Sequence, residues 1–159
     1  MDHQQLRDAM ERHGDTVYRL ALCRLQNTAD AEDVYQDVFL RLYQQNTDQW
    51  DGERTRAWLL RTTVNRCADL GRFRLRRGTL PLDQLVELAG PVDREGAELW
   101  AAVASLSPKL RTVVHLYYAE GYKTEEIARI LSIPAVTVRT RLRRAREQLK
   151  HILGGDDHA

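Results

Sequence analysis

Apolar residues recur at steps of three and four along most of the chain, the spacing that gathers side chains on one face of an α-helix. Leu6, Met10, Val17, Leu20, Ala21 and Leu25 trace one such face, with Gly14 as its weak point. Val34, Val38 and Leu42, beside Tyr35, Phe39 and Leu40, trace a broader one. Between them Asn27-Thr28 interrupts the period. Thr28 can cap a helix whose first turn holds Asp30, Glu32 and Asp33, the charge sign that a helix N-terminus prefers. Asn46 to Gly52 reads as a loop, and a third helix starts near Arg54 and runs through Trp58, Leu59, Thr62, Cys67 and Leu70 towards Arg77. Leu99 to Leu106 reads as a further helix. Ser107-Pro108 then opens the next, with serine as cap and proline at the first helical position; it carries Leu110, Val113, Val114, Leu116 and Tyr117 and stops at Gly121. Thr124 caps a short helical pattern to Leu131. After the Ser132-Ile133-Pro134 break, Val138, Leu142, Ala145 and Leu149 form the buried stripe of the last helix. No strand pattern or internal repeat competes, so the expected fold is all-α.

The period lapses once. Gly78 to Glu95 holds two of the four prolines and a net charge of −3, from four acids against Arg94, and reads as a flexible linker. Within it Leu82, Leu85, Val86 and Leu88 could form one short docked turn. The expected organisation is therefore two small helical domains, 1–77 and 96–153, joined by the linker 78–95 and followed by a disordered tail, 154–159.

Composition changes this picture only through the distribution of charge. Over 159 residues, 24 cations nearly cancel 23 acids. Yet Asn27 to Glu53 has seven acids against Arg41, a net −6, and Arg54 to Arg77 has eight arginines against Asp69, a net +7. Such blocks point to separate surfaces: an acidic one for protein, and basic ones for phosphate. From Arg139 to Lys150 there are six cations and one acid, Glu147, whereas a merely solvated helix usually alternates its signs. Thr140, Arg143 and Arg144 oppose the apolar stripe of that helix, with Arg139, Arg141 and Arg146 on its flanks. This is the layout of a helix-turn-helix whose second helix enters the DNA major groove.

Other chemistries find little support. His3, His13, His115, His151 and His158 show no pairing with acids or cysteines at ligand spacing, so neither a metal site nor a cofactor is expected, and no glycine-rich phosphate loop is present. Glu32 and Asp33 point in different directions on one helix and make no catalytic dyad. Cys23 and Cys67 read as small core residues, with a redox role unsupported. No apolar stretch suffices for a membrane span and no signal peptide is recognisable, so a cytoplasmic protein without membrane insertion is expected.

Three motifs, in order, resemble the extracytoplasmic-function sigma factors of the sigma-70 family. Ala31 to Leu42 is similar to the region 2 helix that docks on the clamp helices of the RNA polymerase beta-prime subunit. Trp58-Leu59-Leu60-Arg61 with Asn65, Asp69 and Arg72 is similar to the segment that reads and melts the −10 promoter element. Ala102 to Leu149, with Ser107-Pro108, Glu120-Gly121, Glu126-Ile127-Ala128 and Arg141-Leu142 before Arg144-Ala145-Arg146, is similar to region 4. The resemblance implies a non-enzymatic initiation factor whose partners are core RNA polymerase (beta-prime clamp and beta flap), promoter DNA and a separate anti-sigma factor.

Core-polymerase contact then falls to Asp33, Gln36, Asp37, Phe39 and Leu40. Contact with the −10 element falls to Arg61, Asn65, Arg66, Arg72, Arg74, Arg76 and Arg77, with Asn65 reading a base by family position, Trp58 in the core and Phe73 open to either role. Contact with the −35 element falls to Thr137, Arg139, Thr140, Arg141, Arg143, Arg144 and Arg146, of which Arg141 and Arg146 suit phosphates. Two residues depart from the family: Val136 replaces a usual glycine, and Gly71 replaces an apolar residue where the −10-reading helix could end early. Two alternatives stay open on the residues alone. One is a free-standing operator-binding regulator; the other is a sigma-like adaptor that titrates an anti-sigma factor.

Overall fold

In a computed structural model of the chain, every regular element among the described residues, 1–77 and 94–154, is a helix; side chains are described outside 74–77 and 94–95. The chain folds as two compact units. The first contains α1 (His3–Leu25), α2 (Thr28–Tyr43) and α3 (Gly52–Arg77), each packed on the other two. α1 begins in a capping box: the Asp2 carboxylate accepts from the Gln5 backbone N–H at 2.7 Å, and the Gln5 side chain accepts from the Asp2 N–H at 2.9 Å. It runs unbroken through Gly14. A Cβ there would sit 2.9 Å from the Tyr35 hydroxyl of α2, so a larger residue would require that side chain to shift. α1 ends on Gln26 in the left-handed region at φ 56°.

The cap of α2 is Asn27 rather than Thr28: its side-chain oxygen accepts from the Asp30 N–H at 3.0 Å, leaving Thr28 as the first helical residue. Asp51 does the same for α3, accepting from the Arg54 N–H at 2.8 Å, so that helix starts two residues before the expected Arg54. Val17, Ala21, Val34, Val38, Leu42, Leu59 and Cys67 close the core between the three helices. Thr63, fully buried beside them, satisfies its hydroxyl on the Leu59 carbonyl at 2.6 Å. Trp58 is half-buried against this core and meets Trp50 with ring centroids 5.8 Å apart. Truncating a fully buried leucine such as Leu42 or Leu59 to alanine carries the usual cost of about 2–5 kcal/mol.

The second unit contains α4 (Arg94–Ala104), α5 (Pro108–Val114), α6 (Thr124–Leu131) and α7 (Ala135–Gly154). α4 begins at Arg94, inside the stretch expected to be linker, and 78–93 lie outside the described residues, as does the expected tail beyond Gly154. Pro108 opens α5 as expected, but the Ser107 side chain makes no capping hydrogen bond. Carbonyls at the α4–α5 corner are served by buried Arg111, whose Nη1 donates to those of Ala104 and Leu106 at 3.2 and 2.5 Å. α5 does not run on as an α-helix to Gly121. It passes into one π-helical turn, His115–Ala119, and the chain leaves it through Gly121 at φ 74°.

α6 starts at Thr124 itself, with Lys123 in the cap position and its N–H received by the Glu126 carboxylate at 2.9 Å. Ser132, left-handed at φ 57°, turns the chain into α7. Ile127, Val138, Leu142 and Ala145 are buried, and Leu149 packs beside Leu106, Leu110 and Val114.

Candidate nucleic-acid interface

α7 presents its chemistry on the side its packing leaves over. Val138, Leu142 and Ala145 are buried, Leu149 half-buried, and Arg143 and Arg144 opposite them are exposed, with Thr140 half-buried on the same side. Arg139 and Arg146 flank the stripe on one edge, and half-buried Thr137 and Arg141 on the other. Thr137, Thr140, Arg141 and Arg144 line a groove completed by Ser107 and Lys109 from the start of α5. A helix with hydroxyls and guanidinium groups on its outer face, held at a tight turn by a second short helix, can offer bidentate donors to base edges and single donors to phosphates.

Arg146 behaves differently from its neighbours. Its Nε donates to the Tyr118 hydroxyl at 2.8 Å, and its guanidinium carbon lies 5.5 and 5.7 Å from the Tyr117 and Tyr118 ring centres. The π turn aims that tyrosine pair, and the sequence pattern did not foresee it. The one available signal was a pair of adjacent tyrosines of which the apolar stripe uses only the first. The same turn corrects the reading that no histidine meets an acid. Side chains five apart align on a π turn but not on an α-helix, and His115 Nε2 lies 2.9 Å from the Glu120 carboxylate, both side chains nearly buried. The contact is a close polar pair at a poor hydrogen-bond angle, since Nε2 satisfies the distance without the geometry. Among the described residues no group of His, Cys, Asp and Glu could hold a metal ion.

In the first unit, α3 carries the second basic surface. Arg61, Asn65 and Arg72, at steps of four and seven, are exposed on the face opposite Leu59, Thr63 and Cys67. Gly71 does not end the helix, which continues to Arg77. Phe73 is 48% exposed. Arg74, Arg76 and Arg77 lie on the last turn, where only the backbone is described. Arg66 stands apart from the Arg61 face: it points to α2, with Nε 2.7 Å from Asp37 as an ion pair without hydrogen-bond geometry, while its Nη1 donates to Asp69 at 3.3 Å, which in turn holds Arg72.

The acidic face of α2 divides in the same way. Asp33, Gln36 and Leu40 are exposed, Leu40 at 59%. Phe39 is not part of that surface: it is 2% exposed, lies in the core and packs on Tyr35 at 4.8 Å, which corrects its assignment to a docking interface. The broad apolar side of α2 made both of its flanks look alike in sequence, and only packing against α1 and α3 decides which flank is inside. Asp37 is engaged within the unit, by Arg41 at 2.9 Å and Arg66 at 2.7 Å.

Cys67 is buried and its thiol is pushed up to about 12, chiefly by burial, so it is no ready thiolate; Cys23 is equally buried. No helix among the described residues is long and apolar enough to cross a membrane.

Comparison with known proteins matches two stretches of the chain to two regions of one family. The family described as Sigma-70 region 2 matches residues 9–78, and that described as Sigma-70, region 4 matches residues 96–149. The chain is 35% identical to the ECF RNA polymerase sigma factor SigE of Mycolicibacterium smegmatis, covering 92% of itself and 60% of that longer protein. It is 30% identical to the ECF RNA polymerase sigma factor SigW of Bacillus subtilis, covering 94% of itself and 89% of SigW. Among solved structures it is similar to CnrH in complex with the cytosolic domain of CnrY, with a TM-score of 0.72, 28% identity, and coverage of 98% of this chain and 91% of that one. The sigma factor RpoE bound to the anti-sigma factor NepR from Bartonella quintana shares the fold, with a TM-score of 0.76 at 22% identity over 94% of this chain and 97% of that one.

Proposed function

The chain belongs to the extracytoplasmic-function sigma factors of the sigma-70 family, and we propose that it binds core RNA polymerase, directs it to a particular set of promoters and opens them at the −10 element. The observation that carries this reading is the presence of two outward cationic faces, on α3 and α7, each lying opposite a buried stripe, with an acidic helix beside one of them. Neither an operator-binding regulator nor a titrating adaptor needs all three.

The roles divide by chemistry. Asp33, Gln36 and Leu40 on α2 offer an apolar centre with a charged rim, suited to the beta-prime clamp helices and repelled by phosphate. Arg61 and Arg72 follow the backbone of the −10 strand, joined by Arg74, Arg76 and Arg77 at the end of α3. Asn65 between them receives an unstacked base. Unstacking costs a few kcal/mol per base, and each stacking contact can return about 1–3 kcal/mol, so strand opening rests on several contacts together. On α7, Arg143, Arg144 and Thr140 read the −35 base edges; Thr137, Arg139 and Arg141 hold phosphates.

The factor performs no covalent chemistry. It acts in the cytoplasm, where polymerase is, with 1–77 serving as region 2, 78–93 as the linker between them and 94–153 as region 4, which also meets the beta flap. An anti-sigma factor covers these surfaces, as the cytosolic domain of CnrY binds the similar CnrH. Purified chain mixed with core polymerase should transcribe a promoter that neither opens alone, with permanganate-reactive thymines appearing at the −10 element. Tight operator binding by the chain without polymerase, and no strand opening with it, would overturn the reading.

A further inference from the structure

Five charges run without interruption across the α2–α3 seam: Arg41, Asp37, Arg66, Asp69 and Arg72. Arg41 and Arg66 share the Asp37 carboxylate at 2.9 and 2.7 Å; Arg66 and Arg72 share that of Asp69. The middle of the chain is the least solvated part, with the Asp37 and Arg66 side chains 34% and 35% exposed. Its two ends belong to different surfaces. Asp37 lies one turn from Asp33 and next to Gln36, on the helix assigned to polymerase, while Arg72 lies on the face assigned to promoter DNA.

We propose that Asp37 is a gate on promoter binding: in the free factor it holds Arg66, and through Asp69 steadies Arg72, away from phosphate, and polymerase docking on α2 draws the Asp37 carboxylate off and releases both guanidinium groups to DNA. The inference rests on the assignment of α2 to polymerase and α3 to the −10 strand. Its physical basis is competition. A carboxylate and a phosphate ask for the same guanidinium edge, and the half-buried Asp37–Arg66 pair, which meets the ion-pair distance without a hydrogen bond from Nε, is open to exchange on docking. Two acids placed on two arginines subtract from the very charge that binding to a single strand requires. Arg66 itself therefore has no standing contact with DNA in the free chain, and gains one only in holoenzyme.

The test measures binding of the full-length chain, without polymerase, to a short fluorescein-labelled oligothymidine strand at two salt concentrations. Asp37→Asn should bind about three- to tenfold more tightly than wild type, and its salt slope should steepen by about 0.7 for each phosphate newly engaged. Glu32→Gln removes the same charge from the same helix outside the five-membered chain and should change binding by less than about twofold, the level expected from a screened distant charge. Asp37→Asn with Arg66→Gln should lose the gain. Should Asp37→Asn fail to fold by its thermal midpoint, Asp69→Asn, which removes the other carboxylate on Arg66, carries the same expectation. Equal tightening by Glu32→Gln, persistence of the gain without Arg66, or no tightening in either aspartate variant overturns the gate. The parent assignment fails on a different result: wild-type affinity of the Asp33→Arg, Gln36→Ala variant for core polymerase, an assay in which no oligonucleotide is present.

Discussion

His13 on α1 shows how one buried side chain sets a response to pH. It is 7% exposed, and its pKa is lowered from 6.5 by burial first and then by the Arg56 and Arg12 charges. In the unfolded chain His13 takes up a proton near its ordinary value, whereas in the fold it resists until lower pH. Stability is therefore full above 6.5 and is lost as pH falls through that value towards the folded one. Urea midpoints compared between about pH 7.5 and pH 5.5 should fall in wild type and fall less in His13→Gln. Gly71 is a second residue with a readable consequence. It sits inside α3, and a Cβ there would meet nothing within 4 Å. Gly71→Ala should thus stabilise the first unit by about 0.4–1 kcal/mol through the unfolded state, seen as a raised thermal midpoint. An unchanged midpoint would mean that the last turns of α3 add nothing to the stability of the unit.

At the scale of elements, what the sequence made legible is what local periodicity controls. The stripe of α7 is legible because Val138, Leu142, Ala145 and Leu149 repeat at helical steps and no other residue between 138 and 149 is apolar. The same logic places Arg61, Asn65 and Arg72 on one face of α3. What stayed hidden depends on a second element. Burial of Phe39 requires α1 and α3, the Asp37–Arg66 pair joins residues 29 apart in the sequence, and the His115–Glu120 pair requires a π turn that no propensity announces. The caps were displaced by one residue: Asn27, a cap former beside Thr28, accepts from the Asp30 N–H, and at α6 the Glu126 carboxylate reaches back to the Lys123 N–H, so Thr124 is left as the first helical residue. For α7 the consequence is a separable pair of arginines. Arg144→Ala should cost about 1–3 kcal/mol at a single −35 base pair and relax preference there. Arg146→Ala should instead lower the thermal stability of the second unit by about 0.5–1 kcal/mol, the worth of an exposed guanidinium over tyrosine rings, and leave base preference unchanged. Holoenzyme binding across a −35 substitution series, read beside the melts, checks both. A change of base preference in Arg146→Ala would place that side chain in the groove and off its tyrosines.

For the whole molecule the decisive quantity is how charge is divided rather than its total. With 24 cations against 23 acids, the chain has no overall field to draw in a duplex, and each cationic face is a small patch beside acids that oppose it. Region 2 is the clearer case, because the acids of α2 lie on the same unit as the arginines of α3 and two of those arginines are held by carboxylates. On the proposed assignment of α2 to core polymerase, docking covers the acidic helix and removes that opposition. The full-length chain alone should accordingly bind promoter duplex weakly, with little preference for sequence and a shallow salt slope. With core polymerase, binding should become specific, and its salt slope should steepen by about 0.9 for each duplex phosphate that the two faces newly neutralise. Electrophoretic mobility shifts or anisotropy on one promoter and one scrambled duplex, with and without core polymerase, measure all three quantities. Specific binding of comparable strength by the free chain would mean that the cationic faces are already uncovered without polymerase.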